Sequence, residues 1–201
     1  MADAFQPRPV LALMAPAILL AASTLAVAQP SNVDANHKFA WSENCGWINW
    51  RDSGSPAGAQ GVVIYPTFLS GFAWMENAGF LNFGDGTPVN GFAYSNTTGT
   101  DTGVNVTPSG NLAGFAWGEN IGWVNFGTAA ALSGSGQQAR MTSGRLRGYA
   151  WGENIGWINL DDATSFVAPT CYANCDGSTV APVLNTNDFQ CFLNKFAAGC
   201  S

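Results

Sequence analysis

Glutamate occurs at only four positions in this 201-residue chain, Glu43, Glu76, Glu119 and Glu153, and each is followed by asparagine. Aromatic residues flank every Glu-Asn pair, as in Tyr149-Ala-Trp-Gly-Glu-Asn-Ile-Gly-Trp-Ile-Asn-Leu160. Residues of these types could do three kinds of chemistry. Paired carboxylates could hydrolyse a glycoside, but that needs an acid and a base roughly 5–10 Å apart in unlike environments. Here the environment repeats, which makes glycoside hydrolysis the remotest reading. Asn and Glu could instead satisfy the backbone of a tight turn, with Gly46, Gly79, Gly122 and Gly156 supplying unusual dihedrals. Finally, an indole beside an amide could stack on a sugar ring while the amide meets its hydroxyls. Trp47 with Asn49, Trp123 with Asn125 and Trp157 with Asn159 are the candidate ligand-binding residues on this reading. Several weak copies would add up through avidity. The competing reading is a structural repeat without a ligand. No catalytic residue is assigned and the chain reads as a non-enzyme. His37 is the single histidine, and neither G-x-S-x-G nor H-E-x-x-H occurs.

The elements that position these residues are themselves repeated. The copies are 39–50, 72–83, 115–126 and 149–160, and their first tryptophans stand 33, 43 and 34 residues apart. A recurring period of this size signals one supersecondary unit per repeat. The longer interval holds Gly91-Phe-Ala-Tyr94, which looks like half a copy. GVVIYP (61–66), GVNVTP (103–108) and QARMTS (138–143) precede the last three copies and read as opening strands. The unit is then a three-stranded antiparallel meander, and the fold class is all-β, arranged as a barrel, a prism or a twisted stack. The first copy lacks its opening strand, as a capping unit would.

Strand alternation assigns the faces. Ile158 and Leu160 share one face, and Trp157 and Asn159 the other. A four-residue loop, Gly152 to Ile155, puts Trp151 opposite Gly156 and gathers Tyr149, Trp151, Ile158 and Leu160 into one apolar face. A five-residue loop would set Trp151 against Trp157. The first register is preferred because it predicts one consistently apolar face. Trp41, Trp74, Trp117 and Trp151 are then core, while Trp47, Phe80, Trp123 and Trp157 are half exposed.

Bulk composition agrees. Only 10% of residues are charged, 24 are Gly and 8 are Trp, which suits a turn-rich β-protein. The net charge of −6 without a Lys/Arg cluster argues against nucleic acid as a partner. Residues 1–28 read as a signal peptide: Arg8, an apolar run from Val10, and Ala26-Val27-Ala28 as the cleavage site. No other stretch is long and apolar enough to span a bilayer, so the mature chain is expected to be secreted or cell-surface and to lack a transmembrane segment. The Trp-rich domain covers 29–168.

Residues 169–201 differ in composition and hold Cys171, Cys175, Cys191 and Cys200, a density that suggests disulfides in an exported chain. Cys45 stands alone in the first repeat. Phe189, Phe192 and Phe196 recur at helical spacing. Asn174-Cys-Asp176-Gly177, Leu184-Asn185, Asp188-Phe189 and the Ala197-Ala-Gly-Cys200 ending resemble a Cys-containing dockerin type I domain. The resemblance covers about 30 residues of the chain. It implies an EF-hand-like loop and helix, calcium as the cofactor, and a cohesin-like or other cell-surface receptor as partner. Asn174, Asp176, Asn185 and Asp188 are the hard oxygen ligands such a loop would offer. Tyr172 stands where the family has its first Asp ligand, and residues around 179–183 lengthen the loop. The chain as a whole reads as an exported, surface-associated repeat module, attached through this tail and binding polysaccharide.

Overall fold

The computed structural model of the protein describes residues 30–54, 59–127, 137–170 and 184–197. The signal-peptide reading (1–28) and the proposed ligands Asn174 and Asp176 lie outside them.

Each repeat contributes one tight hairpin. The first is β1 (Val33–Ser42) with β2 (Gly46–Asn49). In the second unit β3 (Val63–Ile64) pairs with β4 (Leu69–Ser70), and β5 (Phe72–Met75) with β6 (Gly79–Asn82). In the third, β7 (Val104–Val106) pairs with the start of β8 (Leu112–Gly118), whose end pairs with β9 (Gly122–Asn125). The fourth holds β10 (Arg140–Thr142), β11 (Arg145–Arg147), β12 (Tyr149–Gly152) and β13 (Gly156–Asn159). The opening strands expected from sequence are thus present, each folded back on the segment that follows. Gly91–Tyr94 forms no strand; instead Tyr94 is buried in a turn-rich segment, packed edge-on against Phe68 at 5.5 Å.

The four hairpins close into an antiparallel eight-stranded barrel in the order β1-β2-β5-β6-β8-β9-β12-β13, with β13 returning to β1 through Trp41 opposite Asn159. Closure removes the sheet edges that an open stack would leave. The chain turns from each opening hairpin into the barrel at a glycine with positive φ: Gly71 between β4 and β5, Gly114 within β8 and Gly148 between β11 and β12. A Cβ on Gly148 would lie 2.2 Å from the Gln138 carbonyl oxygen, so the close approach of the opening strand admits no side chain. The first unit does not go without its third strand. β1 runs back to Val33 and is covered there by β14 (Val167–Pro169), pairing Val33 with Pro169 and Lys38 with Val167.

Eight strands leave room for side chains but not for a channel. The interior is layered. Ala40, Ala73, Ala116 and Ala150 face Ile48, Leu81, Val124 and Ile158 across their hairpins, a small residue against a large one each time. Below them lie Trp50, Phe83, Phe126 and Leu160, all fully buried, with Trp50 4.5 Å from Phe83. Each such side chain contributes roughly 1.5–3 kcal/mol on burial.

The register corrects the sequence expectation. Trp41 lies opposite Trp47, Trp74 opposite Phe80, Trp117 opposite Trp123 and Trp151 opposite Trp157. The first tryptophan of each copy is therefore on the outside with the second, not in the core. The cause is the turn. Only Glu, Asn and one further residue lie between the last paired residues, Gly152 and Gly156 in the fourth copy. The Ile155 N–H donates back to the Gly152 carbonyl at 3.2 Å, and Gly156 follows at φ 72°. This is a type I turn completed by a left-handed glycine, a common three-residue hairpin loop. One residue of loop length turns every side chain of the strand to the other face.

The tail shows one helix, α1 (Thr186–Ala197). Among the described residues no helix is long and apolar enough to cross a membrane.

Candidate functional site

The outer face of the barrel is an aromatic belt. In every hairpin three rings meet edge to face: Phe39, Trp47 and Trp41 in the first, with centroids 6.0 and 4.9 Å from that of Trp47. Tyr149, Trp157 and Trp151 repeat this at 6.3 and 4.7 Å. Trp47, Trp74, Trp117 and Trp123 keep 42–45% of their surface in solvent. Rings so large are seldom left this open in a row around a soluble barrel.

The seams between hairpins carry the polar chemistry. Across β2 and β5, Asn49 lies opposite Trp74, and the Glu76 N–H donates to the Trp47 carbonyl at 3.0 Å. Trp47, Asn49, Trp74 and Glu76 thus form one outward patch. The same quartet recurs as Phe80, Asn82, Trp117 and Glu119; as Trp123, Asn125, Trp151 and Glu153; and as Trp157, Asn159, Trp41 and Glu43, with each Asn paired to the Trp of the next unit. The candidate pairs named from sequence all lie in these seams. Sequence reasoning placed the glutamates in the turn, where the structure has them, but missed the partner indoles Trp41, Trp74, Trp117 and Trp151. The signal that could have found them is the glycine fixed five residues after each first Trp, which specifies the short loop.

The two asparagines of each copy do different work. Asn44 Nδ2 donates to the Ile155 carbonyl at 3.0 Å, Asn154 to that of Ile121 at 3.1 Å and Asn120 to that of Ala78 at 3.1 Å. The Asn77 backbone N–H completes the circle on the Cys45 carbonyl at 3.2 Å. Each turn is stapled to the turn before it, around the whole barrel mouth. In the strand Asn, the side-chain oxygen accepts the N–H of the residue that leaves the barrel: Arg51 on Asn49, Gly84 on Asn82, Gly127 on Asn125 and Asp161 on Asn159, at 2.7–3.0 Å. The Nδ2 groups of these four have no acceptor among the described residues and remain available to a ligand.

The glutamates have no comparable internal task. Every ion pair among the described residues uses an aspartate: Asp34 with His37, Asp52 with Lys38 and Arg51, Asp161 with Arg145 and Arg147. Glu76 Oε2 accepts the Trp47 N–H at 3.3 Å, a long contact.

One seam is deepened into a cleft of about 480 Å³ lined by Phe39, Trp47, Asn49, Trp74, Glu76 and Ser165. Ser165 supplies its far wall, and the next residue, Phe166, is held by His37 at 4.4 Å and the Arg145 guanidinium at 4.0 Å. Asp162 shapes this wall. The N–H groups of Ser165 and Thr164 and the Thr164 hydroxyl bond its carboxylate at 2.7–2.8 Å and hold it below the usual carboxylate range. The next seam is partly walled by Gly99 and Thr102 and offers about 300 Å³. His37 and Cys45 do not pair. His37 bonds Asp34 at 3.0 Å, whereas Cys45 is buried in the barrel, which pushes its thiol pKa up.

In the tail, Asn185 caps α1: its Oδ1 accepts the Asn187 N–H, and Asp188 Oδ2 accepts the Asn185 N–H, both at 2.7 Å. This reciprocal capping box occupies one oxygen of each of two proposed calcium ligands. Among the described residues no group of three His, Cys, Asp or Glu could hold a metal ion.

Compared with protein-family models, with curated proteins and with solved structures, the chain matches none.

Proposed function

We propose that the barrel is a non-catalytic carbohydrate-binding module whose sites are the seams, including the cleft of about 480 Å³ between the first two hairpins. The observation that carries this is the quartet of aromatic, Asn, Trp and Glu held at four exposed seams. Indoles offer apolar faces to sugar C–H groups, the free Asn Nδ2 donates to a hydroxyl, and the Glu carboxylate accepts from one. The cleft volume falls within the ordinary range for ligand pockets. Four seams on one rigid ring would engage a polymer with avidity.

Export and surface attachment belong to the same reading. They rest on the leader-like residues 1–28 and on the dockerin-like tail, with calcium as its cation and a cohesin-like or other cell-surface receptor as its partner. Disulfides would staple the tail, and Cys191, bonded rather than titratable, supports this. The test is a glycan array followed by tryptophan-fluorescence titration. A saturable signal that Trp47→Ala and Trp74→Ala remove, with the thermal midpoint largely kept, supports the proposal. No saturable signal with any glycan overturns it.

A further inference from the structure

The charge of the cleft narrows the ligand class, on the premise that the seams bind carbohydrate at all. We infer that the cleft lined by Phe39, Trp47, Trp74 and Glu76 selects an ammonium group borne on a saccharide, that is, a hexosamine with its amine free. Two indoles and a phenyl ring line the cleft together with a carboxylate. This combination attracts a cation by ring quadrupole and by charge together. The protein supplies no cation of its own to Glu76. Lys38, next to the cleft residue Phe39, has its Nζ 5.5 Å from that ring's centroid and is already paired with Asp52. That contact is an internal instance of an ammonium resting on this ring. The ion pairs among the described residues use Asp34, Asp52 and Asp161, while all four glutamates sit at the seams without a basic partner among the described residues. A chain of net charge −6 also disfavours acidic glycans at long range. Asn49 Nδ2 and the Ser165 hydroxyl, beside the cage, suit the hydroxyls of a sugar better than a bare alkylammonium.

The experiment is calorimetry on the whole chain at mildly acidic pH and low salt. The probes are a glucosamine tetramer, its fully N-acetylated form, a galacturonic acid tetramer and choline. The free-amine tetramer is expected to bind about tenfold more tightly than the N-acetylated one, the scale of a cation held by aromatic rings and a carboxylate. The acidic tetramer is expected to give no heat. Glu76→Gln, which keeps an acceptor for the Trp47 N–H, is expected to erase the preference by lowering the affinity for the free-amine tetramer to that for the N-acetylated one. Equal or tighter binding of the N-acetylated tetramer, or a preference that survives Glu76→Gln, overturns the inference and leaves the carbohydrate reading intact. Choline binding as tightly as the free-amine tetramer overturns the saccharide part. Absence of binding by every sugar overturns both.

Discussion

Inside the barrel, the residues flanking the Glu-Asn turn are Ser42 with Cys45, Met75 with Ala78, Gly118 with Ile121 and Gly152 with Ile155. Outside, the same hairpins carry Trp, Glu and Asn without exception at their first-strand, turn and second-strand positions. The inner pairs vary, but they vary together. A Cβ on Gly118 would stand 2.6 Å from Ile121 Cγ1, so a large third turn residue requires glycine before the turn, while Met75 goes with Ala78. A core selects summed volume and shape, and several combinations satisfy it. Half-exposed positions feel far weaker packing constraints, so uniformity there needs another cause. For three of the four turn Asn the cause is the side-chain staple, and for the strand Asn it is the exit of the chain. For the tryptophans, mutual edge-to-face packing is part of the cause. For the glutamates the long contact of Glu76 with the Trp47 N–H is the one internal side-chain hydrogen bond among the described residues, and this is what turns attention to a ligand.

The contrast can be broken most forcefully by comparing neighbours on one strand. Ile158→Ala is expected to cost about 2–5 kcal/mol in urea unfolding, because it opens a cavity in a fully buried layer. Trp157→Ala, one residue away and facing out, should cost only about 1 kcal/mol, the scale of an aromatic pair. Equal losses would mean that the belt is structural. Next comes the pairing of inner residues. Gly118→Met alone should overpack by about 1–3 kcal/mol, and Ile121→Ala alone should leave a void. The double variant should recover more than about 1 kcal/mol of the sum, as coupled neighbours do. Strict additivity would refute the compensation. At the mouth, Asn120→Ala removes the staple to Ala78 and should cost about 1 kcal/mol without disturbing either face.

The smallest effect concerns acid. The N–H groups of Ser95 and Val89 hold the Asp101 carboxyl below its ordinary value. A depressed pKa contributes stability that is present above the unfolded value, about 3.9, and is lost as pH falls through the lower folded value. Asp101→Asn should flatten that stretch of the stability profile in acid titration. An unchanged profile would dissociate Asp101 from it.

Much of this architecture can be read from residues alone. Repeat spacing, opening strands and the partition of Trp157 with Asn159 against Ile158 with Leu160 all follow from period and alternation, and the structure shows them. The register within the hairpin does not follow from apolarity. Tyr149 and Trp151 look like core because they are large, yet at the paired positions of the hairpins the interior takes alanine against isoleucine, leucine or valine, and the paired indoles are left outside. Hydrophobicity ranks residues but cannot say that space is short. The turn did carry the answer, in Gly46, Gly79, Gly122 and Gly156 following each three-residue loop. Barrel closure was not legible either, because β13 and β1 pair across most of the repeat region, Trp41 opposite Asn159, and no local pattern announces it.

The return of β13 to β1 fixes the number of modules. A linear solenoid can lengthen by duplication at either terminus, each newcomer docking on the last. Here the two extremities are consumed in sealing one another, so a fifth copy would find no vacant berth. It would have to widen the ring and hollow its packed interior. Four is therefore a geometric quantum of this architecture, and divergence is confined to the loops and to the outward wall.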